Sequence, residues 1–144
     1  MKHALATALL VSAVAFTGCN TNVGVDNPDS REASANQVSG VVTTRYNAPV
    51  DNVFNAVKRS LDQTPGMMRT GESDLTGPGG DNDKVGVKVF ARSVGDLLVT
   101  VEIAKTEDKE KNETYTAVSI KYGNFGNLPE SQKLISRISS NLRR

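Results

Sequence analysis

With one histidine and one cysteine in 144 residues, and 17 Lys and Arg against 16 Asp and Glu, the chain lacks the raw material for most familiar catalysis. A single thiol cannot close an internal disulfide, and near-neutrality supplies no global field to gather nucleic acid, which needs several clustered cations. The basic residues are dispersed rather than grouped.

The N-terminus sets the location. Met1-Lys2-His3 carries a fixed positive charge, and Ala4 to Phe16 follows as 13 almost unbroken apolar positions. That run is too short for a hydrocarbon core that needs ~20 residues, so it reads as a secretory signal rather than a membrane span. Thr17-Gly18 then leads straight into Cys19. The stretch resembles the bacterial lipoprotein signal, the lipobox, with Phe16 standing where that pattern prefers an aliphatic residue. The resemblance implies that the Cys19 thiol takes a diacylglyceryl group and that the chain is cut just before it. Residues 1–18 are then a signal peptide, and Cys19 holds the mature protein on a membrane.

This reading narrows the chemistry further. His3 leaves with the signal and the Cys19 thiol is alkylated, so the mature chain keeps no imidazole and no free thiol. Ser-His-Asp triads, Cys-His pairs and His- or Cys-based zinc sites all need residues it lacks. No catalytic, cofactor-binding or metal-ligating residue is assigned, and the one site residue is Cys19, for lipidation.

Asn20 to Gln37 is polar, with turn formers at Gly24, Asn27 and Pro28 and almost no large apolar residue. Such composition cannot bury enough surface to offset chain ordering. Residues 19–37 are expected to form a lipidated flexible tether, with an end-to-end distance of roughly 20 to 25 Å.

From Val38 the pattern changes, and residues 38–144 are read as a single α+β domain. Val38 to Tyr46 is β-branched and reads as a strand. Pro49 suits a first helical position, and Val50, Val53, Phe54, Val57 and Leu61 form one apolar stripe, so a helix follows. It stops before Pro65-Gly66, and a weak strand is expected around Met67 to Arg69. Gly71 to Lys84 has no phosphate-loop pattern. Asp81, Asp83 and Gly86 imitate half of a calcium loop, but Val85 occupies a ligand position and Arg92 the place of the bidentate Glu, so a surface loop is expected.

Alternation then predicts a hairpin. Val85, Val87, Val89 and Ala91, and again Leu97, Val99, Val101 and Ile103, are apolar at every second position, with a turn at Ser93 to Asp96. Lys105 to Glu113 alternates in charge and reads as a solvated connection. Thr114 to Tyr122 is a further strand, and Asn127 with Glu130 forms a capping box before a helix carrying Leu134, Ile135, Ile138 and Leu142. The expected fold is an antiparallel sheet of four to five strands with two amphipathic helices on one face.

The run YNAPVDNVFNAV, the hairpin KVGVKVFARSVGDLLVTVEI and the closing VSIKYGNFGNLPESQKLISRI resemble a family of small bacterial lipoproteins catalogued only as a domain of unknown function. The motifs are structural: a Pro-started helix after a strand, and a Gly-x-Phe-Gly turn at Gly123 to Gly126. The resemblance implies a fold and a location, not an activity. A non-enzymatic envelope lipoprotein that binds a protein or envelope component is the leading expectation, with no nucleic-acid partner and no cofactor. A small-ligand or lipid carrier is the alternative, and a carboxylate-based hydrolase the weakest reading. Asn20 after Cys19 lacks the charge of the familiar Asp retention signal, so outer-membrane attachment facing the periplasm is expected.

Overall fold

Six antiparallel strands form one sheet in the order β1-β2-β6-β5-β4-β3, with two helices against it. The computed structural model describes residues 30–36 and 39–143, with side chains from residue 39 onward. The elements run β1 Ser30–Asn36, β2 Val41–Tyr46, α1 Val50–Asp62, β3 Met68–Thr76, β4 Lys84–Ser93, β5 Leu97–Asp108, β6 Glu113–Tyr122 and α2 Leu128–Leu142. The α+β class expected from the pattern is the class found.

Period-two alternation decides which face is covered. Val89 pairs with Val101, Val101 with Ile120, and Ile120 with Val42, so one row of β-branched side chains runs across four strands. All four are buried, as are Val53, Val57 and Leu61 of α1 and Leu134, Ile135 and Ile138 of α2. Both helices therefore cover the same face, and each fully buried aliphatic side chain contributes about 1.5–3 kcal/mol. The opposite face carries Thr43, Lys88, Glu102 and Ser119. There Lys88 bridges to Glu102 at 2.6 Å and Thr43 shares a hydrogen bond with Ser119 at 3.1 Å.

The start of α2 fits its sequence, whereas Pro49, expected at the first helical position, stands one residue before it. Pro49 holds φ −60° and ψ 148° and is the N-cap residue, one position before the first helical turn. At α2 the Glu130 amide donates to Asn127 Oδ1 at 3.2 Å, as the capping pattern predicts, while the Glu130 carboxylate turns to Lys133 Nζ at 2.7 Å.

Three expectations are corrected. Within the segment assigned to the tether, Ser30–Asn36 is a strand on the outer edge of β2, so the sheet begins before Val38. An edge strand is held by backbone hydrogen bonds along one side and needs no apolar alternation to form. The rest of the expected signal and tether, residues 1–29 and 37, lies outside the described residues, as does Val38 at the start of the expected first strand. Second, the weak strand near Met67 extends through Thr76, into the segment read as loop, because β4 supplies its ladder. Third, β5 continues through Lys105–Asp108 to pair with Glu113–Thr116, so the solvated connection is shorter than expected. Five strands, β2 to β6, make the expected sheet at its upper size, and β1 adds a sixth.

Candidate interaction surface

The two ends of the sheet differ in chemistry. At one end lie the β3–β4 turn and the β5–β6 turn, built from Gly77–Asp83 and Lys109–Asn112. Asp83 closes the first, its carboxylate accepting from the Gly79 amide at 3.1 Å, and Asp108 closes the second by accepting from Glu110 and Lys111. The Asp83 carboxylate of the half calcium pattern is thus engaged in its own turn, and among the described residues no group of three potential metal ligands assembles.

At the other end are the β4–β5 turn, the β6–α2 turn and the start of β3. Every large hydrophobic side chain classed as exposed among the described residues is here: Phe125 at 90%, Val94 at 78%, Met68 at 66%, and Leu97 and Leu98 at 40% each. The folding pattern explains their exposure. Ser93 pairs with Leu97, leaving Val94 in a three-residue turn whose other members, Gly95 and Asp96, take φ of 78° and 61°. Val94 lies over Gly66 and Leu97 over Gly123, so these glycines leave room for the apolar side chains to sit along the sheet end. Leu98 pairs with Arg92, which pairs in turn with Met68. Across this end the side chains span from Phe125 beyond β6 to Met68 on β3, three strand spacings or about 14 Å, and alternation divides them: Leu97 lies on the helix-covered face with Val99, whereas Leu98 and Met68, with Arg92 between them, lie on the open face. The cations beside it are held: Arg69 binds Asp62 at 2.7 and 3.0 Å, and Arg92 Nη1 lies 3.6 Å from Asp96.

Two concave regions flank α1. A trough of about 510 Å³ is lined by Ala48, Val50, Asp51, Lys105 and Tyr115, and a neighbouring one of about 530 Å³ shares Val50, Asp51 and Lys105 and extends to Phe54 and Val87. Arg45 stacks over the Tyr115 ring at 4.6 Å, and Lys58 over Phe54 at 4.0 Å. A third concavity, about 270 Å³, lies between the turn after α1 and the first half of α2, and Tyr122, Glu130, Lys133 and Arg137 line it. Tyr122 is 3% exposed and its hydroxyl has no hydrogen-bond partner. Burial pushes its pKa up to about 12, with Glu130 adding to the rise and Arg137 opposing it. Arg137 Nη1 donates to the Gln63 carbonyl at 3.0 Å and so caps the end of α1.

Sequence comparison adds the family. Residues 2–141 match the family described as protein of unknown function DUF3568. The chain belongs to the DUF3568 family. The match to DUF3568 begins inside the signal-like segment and ends within α2, so it takes in the Cys19 region together with every strand. No curated protein matches the chain. Cys19, the one site residue expected from sequence in this DUF3568 protein, lies outside the described residues. The apolar row was not expected. Its signal is the doubled leucine Leu97-Leu98, which breaks alternation, together with a valine and a phenylalanine each placed beside glycine in a turn.

Proposed function

We propose that this DUF3568 protein is a bacterial envelope lipoprotein, anchored through lipid on Cys19, that works by binding another envelope component rather than by catalysing a reaction. The observation that carries the binding role is the distribution of apolar side chains. Those facing the helices fill the space between sheet and helices, and the large exposed ones collect along one end of the domain instead of lining an internal chamber. An exposed apolar grouping on a small domain is the usual mark of a docking surface. The anchoring rests on the lipobox resemblance of the segment that ends in Thr17-Gly18-Cys19.

A carrier of a small ligand is the second reading, favoured by the troughs beside Val50 and Asp51, whose volumes fall in the range of ligand sites. The attachment is tested by Cys19→Ser. Wild type should enter the detergent phase of Triton X-114 as a mature chain beginning at Cys19, and the variant should appear only as a soluble form or an uncleaved precursor. Mature variant protein in the detergent phase would remove the lipid from the proposal. Titrating amphiphiles and watching tyrosine fluorescence in wild type and in Tyr115→Phe separates carrier from docking module: saturable quenching that the variant loses supports the carrier.

A further inference from the structure

We propose that the concavity between Pro65 and the first half of α2 binds a small monocarboxylate, its acid group taken by the Tyr122 hydroxyl and the Arg137 guanidinium. The site does not depend on the anchoring proposed above. Its floor is Tyr122 and Leu134, 3% and 1% exposed, and its rim is Pro65, Glu130, Lys133 and Arg137. Glu130, Lys133, Leu134 and Arg137 follow one another at the spacing of a single helix face, so α2 presents all four to the turn after α1.

The observation that asks for a ligand is Tyr122. Among the described residues, Tyr122 and Ser131 bury a hydroxyl without a hydrogen-bond partner, and of the two it is Tyr122 that lines this concavity. Alternation along β6 sends its side chain to the helix-covered face with Val118 and Ile120, and the two ionised groups that act on its phenol, Glu130 and Arg137, both stand on the rim. The phenol end of the ring lies beneath that rim. Burial keeps it protonated at ordinary pH, so it offers a donor and lacks an acceptor. Glu130 is not that acceptor, because its Oε1 is held by Lys133 Nζ at 2.7 Å. A buried O–H left unpaired costs stability, which a ligand oxygen restores on binding.

Charge selects the acceptor. Lys133 and Arg137 against Glu130 leave the lining one positive charge in excess, which a single carboxylate neutralises. Arg137 gives Nη1 to the Gln63 carbonyl at 3.0 Å, and the same planar fork has further N–H groups whose spacing matches two carboxylate oxygens. A doubly charged phosphate would exceed that charge and meet the Glu130 carboxylate. A cation would meet Arg137 and could not accept from the phenol. Size limits the rest of the ligand: about 270 Å³ falls below the range of drug-sized sites, and Leu134 and Pro65 give an apolar wall, so the acid carries a short aliphatic group. The hydroxyl is shut from solvent, and entry requires Lys133 to swing aside. Its side chain is 68% exposed and held by a surface ion pair to Glu130.

The experiment titrates N-acetylalanine into the purified full-length chain and follows the tyrosine ring resonances by NMR, with Tyr122 assigned by their loss in Tyr122→Phe. The expected result is a saturable shift at Tyr122 that N-acetylalaninamide and inorganic phosphate, at matched ionic strength, do not reproduce. By calorimetry the affinity should fall at least tenfold in Tyr122→Phe and in Arg137→Lys, since bonds to a charged acceptor are lost. Glu130→Gln should bind severalfold more tightly, a gain that damage to the fold would not produce. Melting profiles control for folding; if Arg137→Lys fails to fold, Tyr122→Phe still decides, because it loses no hydrogen bond in the free chain. A tripeptide ending in alanine with a free carboxylate distinguishes the sources: equal binding identifies a chain terminus and no binding a free acid, and both support the carboxylate. No saturable shift, meaning that the hydroxyl holds water only, would overturn the proposal. So would equal shifts from phosphate or the amide, or weaker binding in Glu130→Gln.

Discussion

Gly40 and Gly126 lie back to back at the end of the sheet, so close that a Cβ on either would overlap the backbone of the other's turn. On Gly126 it would meet the Gly40 carbonyl oxygen, and on Gly40 the Phe125 carbonyl. Both residues hold positive φ, 67° and 77°. This contact locks the β1–β2 turn against the turn that projects Phe125.

Gly126→Ala should therefore lower stability by about 2–4 kcal/mol, from the left-handed conformation plus the steric overlap. Gly95→Ala provides the comparison, because Gly95 has φ 78° with open space around its Cβ position. It should cost only about 1 kcal/mol. Urea unfolding of the two variants checks the difference, and equal losses would mean that the contact does not constrain the turns.

A polar seam joins the two helices. Asn141 Nδ2 donates to Ser60 Oγ at 2.9 Å and to Gln63 Oε1 at 3.0 Å, while Ser139 Oγ donates to the Tyr46 hydroxyl at 3.2 Å. Asn141→Ala removes two bonds, though Ser60 Oγ still donates to the Ala56 carbonyl at 2.7 Å, so a loss of about 1–2 kcal/mol is expected. Tyr46→Phe should cost about 1 kcal/mol. If Asn141→Ala leaves the urea midpoint unchanged, the seam adds nothing to helix pairing.

Tyr122 gives a pH dependence of definite sign. Its phenol ionises near 10 when unfolded and is pushed up to about 12 in the fold, so the folded chain retains a proton that the unfolded chain has lost. The resulting stability is complete below pH 10 and disappears as pH rises towards 12, by up to about 2–3 kcal/mol. Lys84, raised by its hydrogen bond to Asp74, loses stability in the same direction, so the comparison must be with Tyr122→Phe. That variant loses no hydrogen bond. It should match or slightly exceed wild type at pH 7 and show a shallower alkaline decline. Parallel declines would show that the phenol does not carry the effect.

Under the proposed anchoring through Cys19 and attachment to the outer membrane, sorting turns on the residue that follows that cysteine. Asn20 has the shape of Asp without its charge, so Asn20→Asp should move the anchored protein from the outer to the inner membrane in a Gram-negative host while leaving the melting temperature unchanged. Sucrose-gradient fractionation checks this. Wild type in the inner-membrane fraction would refute the assignment from Asn20.

Most of the scaffold was legible because its strands bury one face and its helices one stripe. Val99, Val101 and Ile103, or Val53, Val57 and Leu61, announce their faces through spacing alone. The misread segments are those whose structure is imposed from outside. In β3, the sequence MRTGESDLT is exposed at almost every position and becomes a strand because β4 lies beside it. Lys105–Asp108 is drawn out by β6 in the same way. The candidate surface escaped notice for a further reason: Phe125 and Met68 are distant in sequence, and only the strand order makes them neighbours along one end.

The pairing of β1 with β2 has a mechanical consequence. Were the chain held by the proposed lipid ahead of Ser30 while the rest of the domain is loaded, tension would enter the sheet along the axis of β1. The hydrogen bonds to β2 then lie across the direction of pull and share the load together, a shearing geometry, instead of opening one after another from a free end. A short polar edge strand is thus the part of the molecule through which such a pull would pass without unravelling the domain.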